Sequence, residues 1–153
     1  MKIRRFLSVF LLTLLLTGLF CVPQASAVDL PQVNAKAALL MDYESGRMLY
    51  GLNERDTEYP ASITKVMTAL LALEKGNLDD VVTVGRNAYG VPGTSIYLNL
   101  GEHITLRNLL YGLLLASGND AAVAIAEHIG GSVEAFCTMM TERAAELGCE
   151  NTV

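Results

Sequence analysis

The segment Tyr59-Pro60-Ala61-Ser62-Ile63-Thr64-Lys65-Val66-Met67-Thr68 decides how the rest of the chain is interpreted. Pro60 suits the start of a helix, and the residues after it favour a helix over 63–74. On a helix, residues three positions apart lie on one face, so the amine of Lys65 can reach the hydroxyl of Ser62. A serine hydroxyl is a poor nucleophile until a base takes its proton. The pair therefore predicts a nucleophile, Ser62, with Lys65 as its general base.

A purely structural interpretation of this segment is that Ser62 caps the helix, because serine is a favoured N-cap residue. A capping box would place Glu or Gln three residues later, where this chain has Lys65. A cation in the first turn also opposes the positive end of the helix dipole. Lys65 is poorly explained as structure, but the tetrapeptide alone leaves both interpretations open.

A second polar motif, Ser117-Gly118-Asn119, separates an apolar run over 109–116 from an alanine-rich run over 120–129. A polar break between two helices can present a hydroxyl and an amide from a tight turn. The alternative is an ordinary turn with Gly118 at a helix C-terminus, which the tripeptide alone favours. The tripeptide does not stand alone in this chain, because a Ser-x-x-Lys pair accompanies it.

Together the two motifs resemble the first two motifs of the serine D-alanyl-D-alanine carboxypeptidases, the low-molecular-mass penicillin-binding proteins of peptidase family S11. Gly118 stands where β-lactamases carry Asp, which favours the carboxypeptidases. The resemblance implies an α/β (α+β) fold of the penicillin-binding protein/β-lactamase type, with helices on an antiparallel sheet. It runs from about residue 37 to the end, and its other matching positions are Met41-Asp42, Ser45-Gly46, Gly112-Leu113-Leu114-Leu115, Ala144 and Leu147-Gly148.

The resemblance also implies a mechanism and partners. Ser62 would attack the carbonyl between the two terminal D-alanines of a peptidoglycan stem peptide, and Lys65 would accept the proton. Ser117 would relay a proton to the leaving amine, Asn119 would bind the substrate amide, and water would hydrolyse the acyl-enzyme. β-Lactams would be covalent inhibitors at Ser62, and neither a metal nor another cofactor is implied. The alternatives are a serine β-lactamase or esterase of the same superfamily, or a non-catalytic product.

The third motif of that family, Lys-Thr-Gly, does not occur in this sequence. In the family it binds the substrate carboxylate and supplies an oxyanion donor, whose loss typically costs about 100- to 1000-fold in rate. We therefore expect residues 28–153 to be the N-terminal part of the catalytic domain, ending before the C-terminal strands. We also expect this segment alone neither to fold rigidly nor to hydrolyse D-Ala-D-Ala peptides usefully.

The first 27 residues have the pattern of a secretory signal peptide. Three basic residues within the first five positions precede an apolar run over 6–22, and Ala25-Ser26-Ala27 resembles a cleavage site. We expect export to the extracytoplasmic face of the membrane, the cell wall or the periplasm. Any membrane association would use a C-terminal segment that lies beyond this sequence.

Charge and the remaining reactive side chains exclude other functions. Cleavage after Ala27 removes three of eleven basic residues and none of sixteen acidic ones, leaving a net charge of about −8, which argues against nucleic acid as a partner. His103, in a predicted loop, and His128, at a helix end, have no ligands at metal-binding spacing. Cys137 and Cys149 are predicted to be free, because the helix between them would separate their α-carbons by about 18 Å.

Local patterns complete the expected architecture. They predict a hairpin, a short strand, a long loop in which Tyr89 and Tyr97 could line a cleft, and three further helices. The expected ranges are 37–41 and 47–50 for the hairpin, 81–84 for the strand, 87–101 for the loop, and 106–116, 120–129 and 133–147 for the helices.

Overall fold

The computed structural model describes residues 32–152. The chain divides into two compact units, of which the first ends at Asp56 and the second begins at Thr57. The predicted signal peptide lies outside the described residues. In the first unit, strands β1 (Ala38–Met41) and β2 (Met48–Leu52) pair antiparallel, with a register irregularity after Leu40. The predicted hairpin is therefore confirmed.

The turn of the hairpin is closed by one side chain. The Asp42 carboxylate accepts hydrogen bonds from the backbone N–H and the hydroxyl of Ser45, which hold the pKa of that carboxyl below its ordinary value. Gly46 has a φ of +67°, which only glycine adopts without strain. These residues explain why the chain reverses here.

The second unit contains four helices and a two-stranded sheet. A 3₁₀ turn (Ala61–Ile63) leads into α1, and strand β3 pairs antiparallel with β4, which runs directly into α2. The bounds are α1 Thr64–Lys75, β3 Val81–Thr83, β4 His103–Thr105, α2 Leu106–Leu115, α3 Asn119–Gly130 and α4 Val133–Glu146.

Polar caps and glycines set the helix ends. Thr105 caps α2 by accepting a hydrogen bond from the N–H of Asn108, and Ser132 caps α4 in the same way. Gly131, with a φ of +77°, ends α3 in the left-handed conformation. At the end of α1, a Cβ on Gly76 would lie 2.6 Å from the Leu106 side chain, so the close approach of α2 requires glycine.

The sequence analysis was wrong about one element. It assigned His103 to a loop, but His103 begins β4, and its Nδ1 lies 3.1 Å from Thr83 Oγ1 on β3. A three-residue strand is too short to show alternation, and only its pairing with β3 reveals it. His128 Nε2 lies 3.2 Å from Asp80 Oδ2.

The core of the second unit surrounds α1, which contacts each of the other three helices. Its fully buried large side chains come from all four helices and from the segment after β3: Phe136, Leu71, Leu106, Leu109, Leu113, Ile125 and Val84. At the far end of α1, Arg143 of α4 donates two hydrogen bonds to the Glu74 carboxylate, at 2.8 and 3.1 Å. The buried middle of α1 and this ion pair near its C-terminus therefore hold the helix that carries Lys65.

The two cysteines of the described residues, Cys137 and Cys149, are free, as predicted, and both are exposed. Within residues 32–152, no helix is both long and apolar enough to cross a membrane.

Candidate active site

Ser62 and Lys65 lie where the 3₁₀ turn passes into α1. Neither the turn nor α1 has a side-chain cap, so Ser62 does not cap the helix, and the structural interpretation of this residue is wrong. The exposed hydroxyl of Ser62 instead accepts a hydrogen bond from the hydroxyl of Ser117, with the two oxygens 3.1 Å apart. The two predicted motifs therefore meet at their serines.

Ser117 and its neighbours form the connection between α2 and α3. Ser117 itself adopts the left-handed conformation, with a φ of +57°, whereas Gly118 has a φ of −62° and precedes the first residue of α3. The expected turn therefore exists, but serine rather than glycine takes the strained position. Gly118 is required for space, because a Cβ there would lie 2.9 Å from Asp120 Oδ1.

Backbone strain occurs on both sides of this contact. Ala61, directly before Ser62, has a φ of +46°, and Ser117 has a φ of +57°. A residue other than glycine in this region costs of order 1 kcal/mol or more, and such residues cluster at functional sites. A strained residue therefore lies at or next to each of the two serines whose hydroxyls are in contact.

Lys65 and Asn119 form the second contact of the site. The Lys65 amine donates to Asn119 Oδ1 at 2.8 Å, and Asn119 Nδ2 donates to the carbonyl of Pro92 at 2.9 Å. Because lysine only donates and a carbonyl only accepts, these partners fix the orientation of the amide. The four predicted site residues are thus joined in two contacts, Ser62 with Ser117 and Lys65 with Asn119. Among the described residues no hydrogen bond joins Lys65 to Ser62, the contact that the Ser-x-x-Lys spacing predicts.

The loop that includes Pro92 borders a cavity. A cavity of about 370 Å³ is lined by residues that include Tyr89, Gly93, Ser95 and Tyr97. The expectation that Tyr89 and Tyr97 line a cleft is confirmed. Gly93, which lines this cavity, lies close to the Asn119 side chain, because a Cβ on Gly93 would be 2.7 Å from Asn119 Nδ2.

Asp120 is a buried residue of this region whose role the sequence analysis missed. It is 1 % exposed and accepts hydrogen bonds from the Ser95 hydroxyl at 2.6 Å and from the N–H groups of Ile96, Leu98 and Ala121. Burial raises the pKa of the Asp120 carboxyl, but these hydrogen bonds more than offset it, so the pKa lies below its ordinary value. From sequence, an Asp in the first turn indicates only a favourable dipole interaction.

The lowered pKa of Asp120 predicts an acid-sensitive contribution to stability. The unfolded carboxyl has a pKa of about 3.9, so the ionised group stabilises the fold above that pH and loses its effect as pH falls through the lower folded value. We expect the difference in unfolding free energy between wild type and Asp120→Asn to be constant from about pH 7 to 5 and to shrink below about pH 4. Urea unfolding across this range measures it.

Asp79→Asn is the matched control for this prediction, because Asp79 is exposed and pairs with Arg107 on the surface. It should change the unfolding midpoint little at any pH. A difference for Asp120→Asn that persists undiminished at pH 3 would show that Asp120 stabilises through its shape and not through its charge.

Comparisons with known proteins identify the family of the chain. Residues 24–153 match the family described as D-alanyl-D-alanine carboxypeptidase. The D-alanyl-D-alanine carboxypeptidase DacF of Bacillus subtilis (strain 168) is 44% identical over 123 residues, which cover 77% of this chain and 32% of DacF. DacC of Escherichia coli (strain K12), a carboxypeptidase of the same description, is 40% identical over 136 residues, covering 82% of this chain and 34% of DacC.

The solved structures identify the same class. Penicillin binding protein 5 from Haemophilus influenzae aligns with a TM-score of 0.75 and 39% identity, over 82% of this chain and 39% of that one. The fold is therefore that of the penicillin-binding DD-peptidases. Within this class, the chain belongs to the D-alanyl-D-alanine carboxypeptidase family. It spans about a third of the length of the curated relatives it matches.

Proposed function

We propose that the protein is a serine carboxypeptidase that removes the terminal D-alanine from peptidoglycan stem peptides. The observation that carries the proposal is the meeting of two motifs about 55 positions apart, through the hydroxyls of Ser62 and Ser117 and through Lys65 and Asn119. The two contacts bring together a hydroxyl pair and an amine–amide pair from the same two motifs, which are the groups that acyl transfer requires. Membership of the carboxypeptidase family supports the choice of substrate.

In this proposal Ser62 Oγ attacks the carbonyl carbon of the D-Ala-D-Ala bond while Lys65 takes the hydroxyl proton. The peptide C–N bond then breaks, the proton passes through Ser117 to the leaving nitrogen, and D-alanine departs. An ester remains on Ser62. Water attacks this ester, regenerates the Ser62 hydroxyl and releases the shortened peptide.

Asn119 binds the substrate in this scheme. One N–H of its Nδ2 is used by Pro92, and the other remains available to a carbonyl of the peptide. β-Lactams, which carry a strained amide, acylate Ser62 and act as covalent inhibitors. The reaction takes place outside the cytoplasmic membrane, to which the signal pattern of the first 27 residues directs the protein.

The experiment that tests the proposal uses the protein expressed from its full reading frame. We expect catalytic release of D-alanine from an acylated Lys-D-Ala-D-Ala peptide and none from the matched peptide ending in L-Ala-L-Ala. With penicillin we expect one slow acylation per molecule. Rapid steady-state hydrolysis of penicillin without D-alanine release would assign the protein to the β-lactamases, and neither reaction would refute the acyl-transfer proposal.

A further inference from the structure

We propose that Asp120 is a positioning residue that acts through Asn119, by holding the loop that orients the Asn119 amide. This inference rests on the function proposed above, in which Asn119 binds the substrate. Asp120 makes no contact with Ser62 or Lys65 among the hydrogen bonds of the described residues. Its effect on the reaction must therefore pass through the loop.

The loop fixes the Asn119 side chain. The carbonyl of Pro92 accepts from Asn119 Nδ2 at 2.9 Å, and the carbonyl of Thr94 accepts from the Asn119 N–H at 2.7 Å. A Cβ on Gly93, which has a φ of +93°, would lie 2.7 Å from Asn119 Nδ2. The loop therefore encloses the amide closely, and a displaced loop would displace or rotate it.

Asp120 in turn fixes the loop. Its Oδ2 accepts from the Ser95 hydroxyl at 2.6 Å and from the Leu98 N–H at 3.0 Å, and its Oδ1 accepts from the Ile96 N–H at 3.0 Å. Three residues of the loop thus bind one carboxylate, which belongs to the first turn of α3. Such charge-assisted bonds to buried N–H groups are stronger than neutral ones.

These two sets of contacts are connected through the loop. Residues 92 and 94 bind Asn119, residues 95, 96 and 98 bind Asp120, and the two side chains come from adjacent positions of α3. Asp120→Asn replaces one acceptor oxygen by a donor that faces an N–H or a hydroxyl, so one or more loop anchors are lost. The amide of Asn119 then loses its fixed position relative to Lys65.

A double-mutant cycle on acylation tests this coupling. The second-order rate of acylation by a fluorescent penicillin is measured for wild type, Asp120→Asn, Asn119→Ala and the double variant of the full reading frame, per folded molecule. We expect Asp120→Asn to lower the rate about 10- to 100-fold in the wild-type background, since a misplacement near 1 Å can cost about that much. In the Asn119→Ala background the same change should cost less than about threefold, because the group that Asp120 positions is gone.

A merely structural role would lower the rate equally in both backgrounds, and this result would overturn the proposal. An acylation rate of Asp120→Asn equal to that of the wild type would overturn the proposal as well. Asp79→Asn, which removes the same charge from the surface, should leave the rate unchanged in both backgrounds. If wild type itself is not acylated, the proposed function fails, and this outcome is distinct from failure of the coupling.

Ser95→Ala provides the second variant in case Asp120→Asn does not fold. It removes the 2.6 Å hydrogen bond to Asp120 and the hydrogen bond that Ser95 Oγ accepts from the Tyr97 N–H, and it leaves the carboxylate with its N–H partners. We expect a smaller fall in rate, about three- to tenfold, that again disappears in the Asn119→Ala background. An effect of Ser95→Ala that is the same in both backgrounds would overturn the proposal.

Discussion

Ser62→Ala is expected to abolish covalent labelling by a fluorescent penicillin and to leave the unfolding transition almost unchanged. The labelling requires the Ser62 oxygen, since no other group can form the ester in the proposed reaction. Stability does not require it, because Ser62 caps no helix and accepts one hydrogen bond, from Ser117. Loss of such a bond at an exposed site typically costs about 1 kcal/mol or less.

The labelled peptide is identified by mass spectrometry after digestion, and stability is measured by thermal unfolding. Ser132→Ala is the matched control, because Ser132 accepts a hydrogen bond from the Ala135 N–H at the start of α4. It should lower the unfolding free energy by about 0.5–2 kcal/mol and keep the label, the reverse of the pattern expected for Ser62→Ala. Label retained in Ser62→Ala, or found on another residue, would disprove the assignment of the nucleophile.

The sequence was sufficient to place the site residues on their elements, because each has a strong local signal. Ser62 lies just before α1 and Lys65 lies in its first turn, whereas Ser117 lies between α2 and α3 and Asn119 begins α3. Their meeting could be anticipated only through the resemblance to a family. Nothing in the spacing of residues 62 and 117 alone specifies a distance of 3.1 Å between their oxygens.

The remaining features of the site depend on contacts that local sequence does not encode. Ser117 adopts the left-handed conformation although glycine suits it better, whereas the neighbouring Gly118 has a φ of −62° and packs closely against Ile96 and Asp120. The burial of Asp120 likewise depends on a loop more than twenty positions earlier. In both cases a tertiary contact overrides the local preference, and such contacts concentrate at functional sites.

Lys65→Met is expected to reduce acylation of Ser62 by a factor of about 100 or more while changing stability little. Removal of a positioned general base typically costs about 10²- to 10⁴-fold in rate. Two small effects on stability oppose each other. Loss of the 2.8 Å hydrogen bond to Asn119 Oδ1 costs about 1 kcal/mol, and removal of a cation from the positive end of α1 gains about 0.3–1 kcal/mol.

Lys75→Met is the matched control, because Lys75 lies in the last turn of the same helix, where a cation is favourable. It should lower the unfolding midpoint slightly and leave acylation at the wild-type rate. Lys65→Met, in contrast, should leave the midpoint almost unchanged and reduce the acylation rate. Acylation rates with a fluorescent penicillin and thermal unfolding of both variants give the comparison. A large fall in the unfolding midpoint of Lys65→Met with acylation retained would mean that its contact with Asn119 holds the two helices together and takes no part in proton transfer.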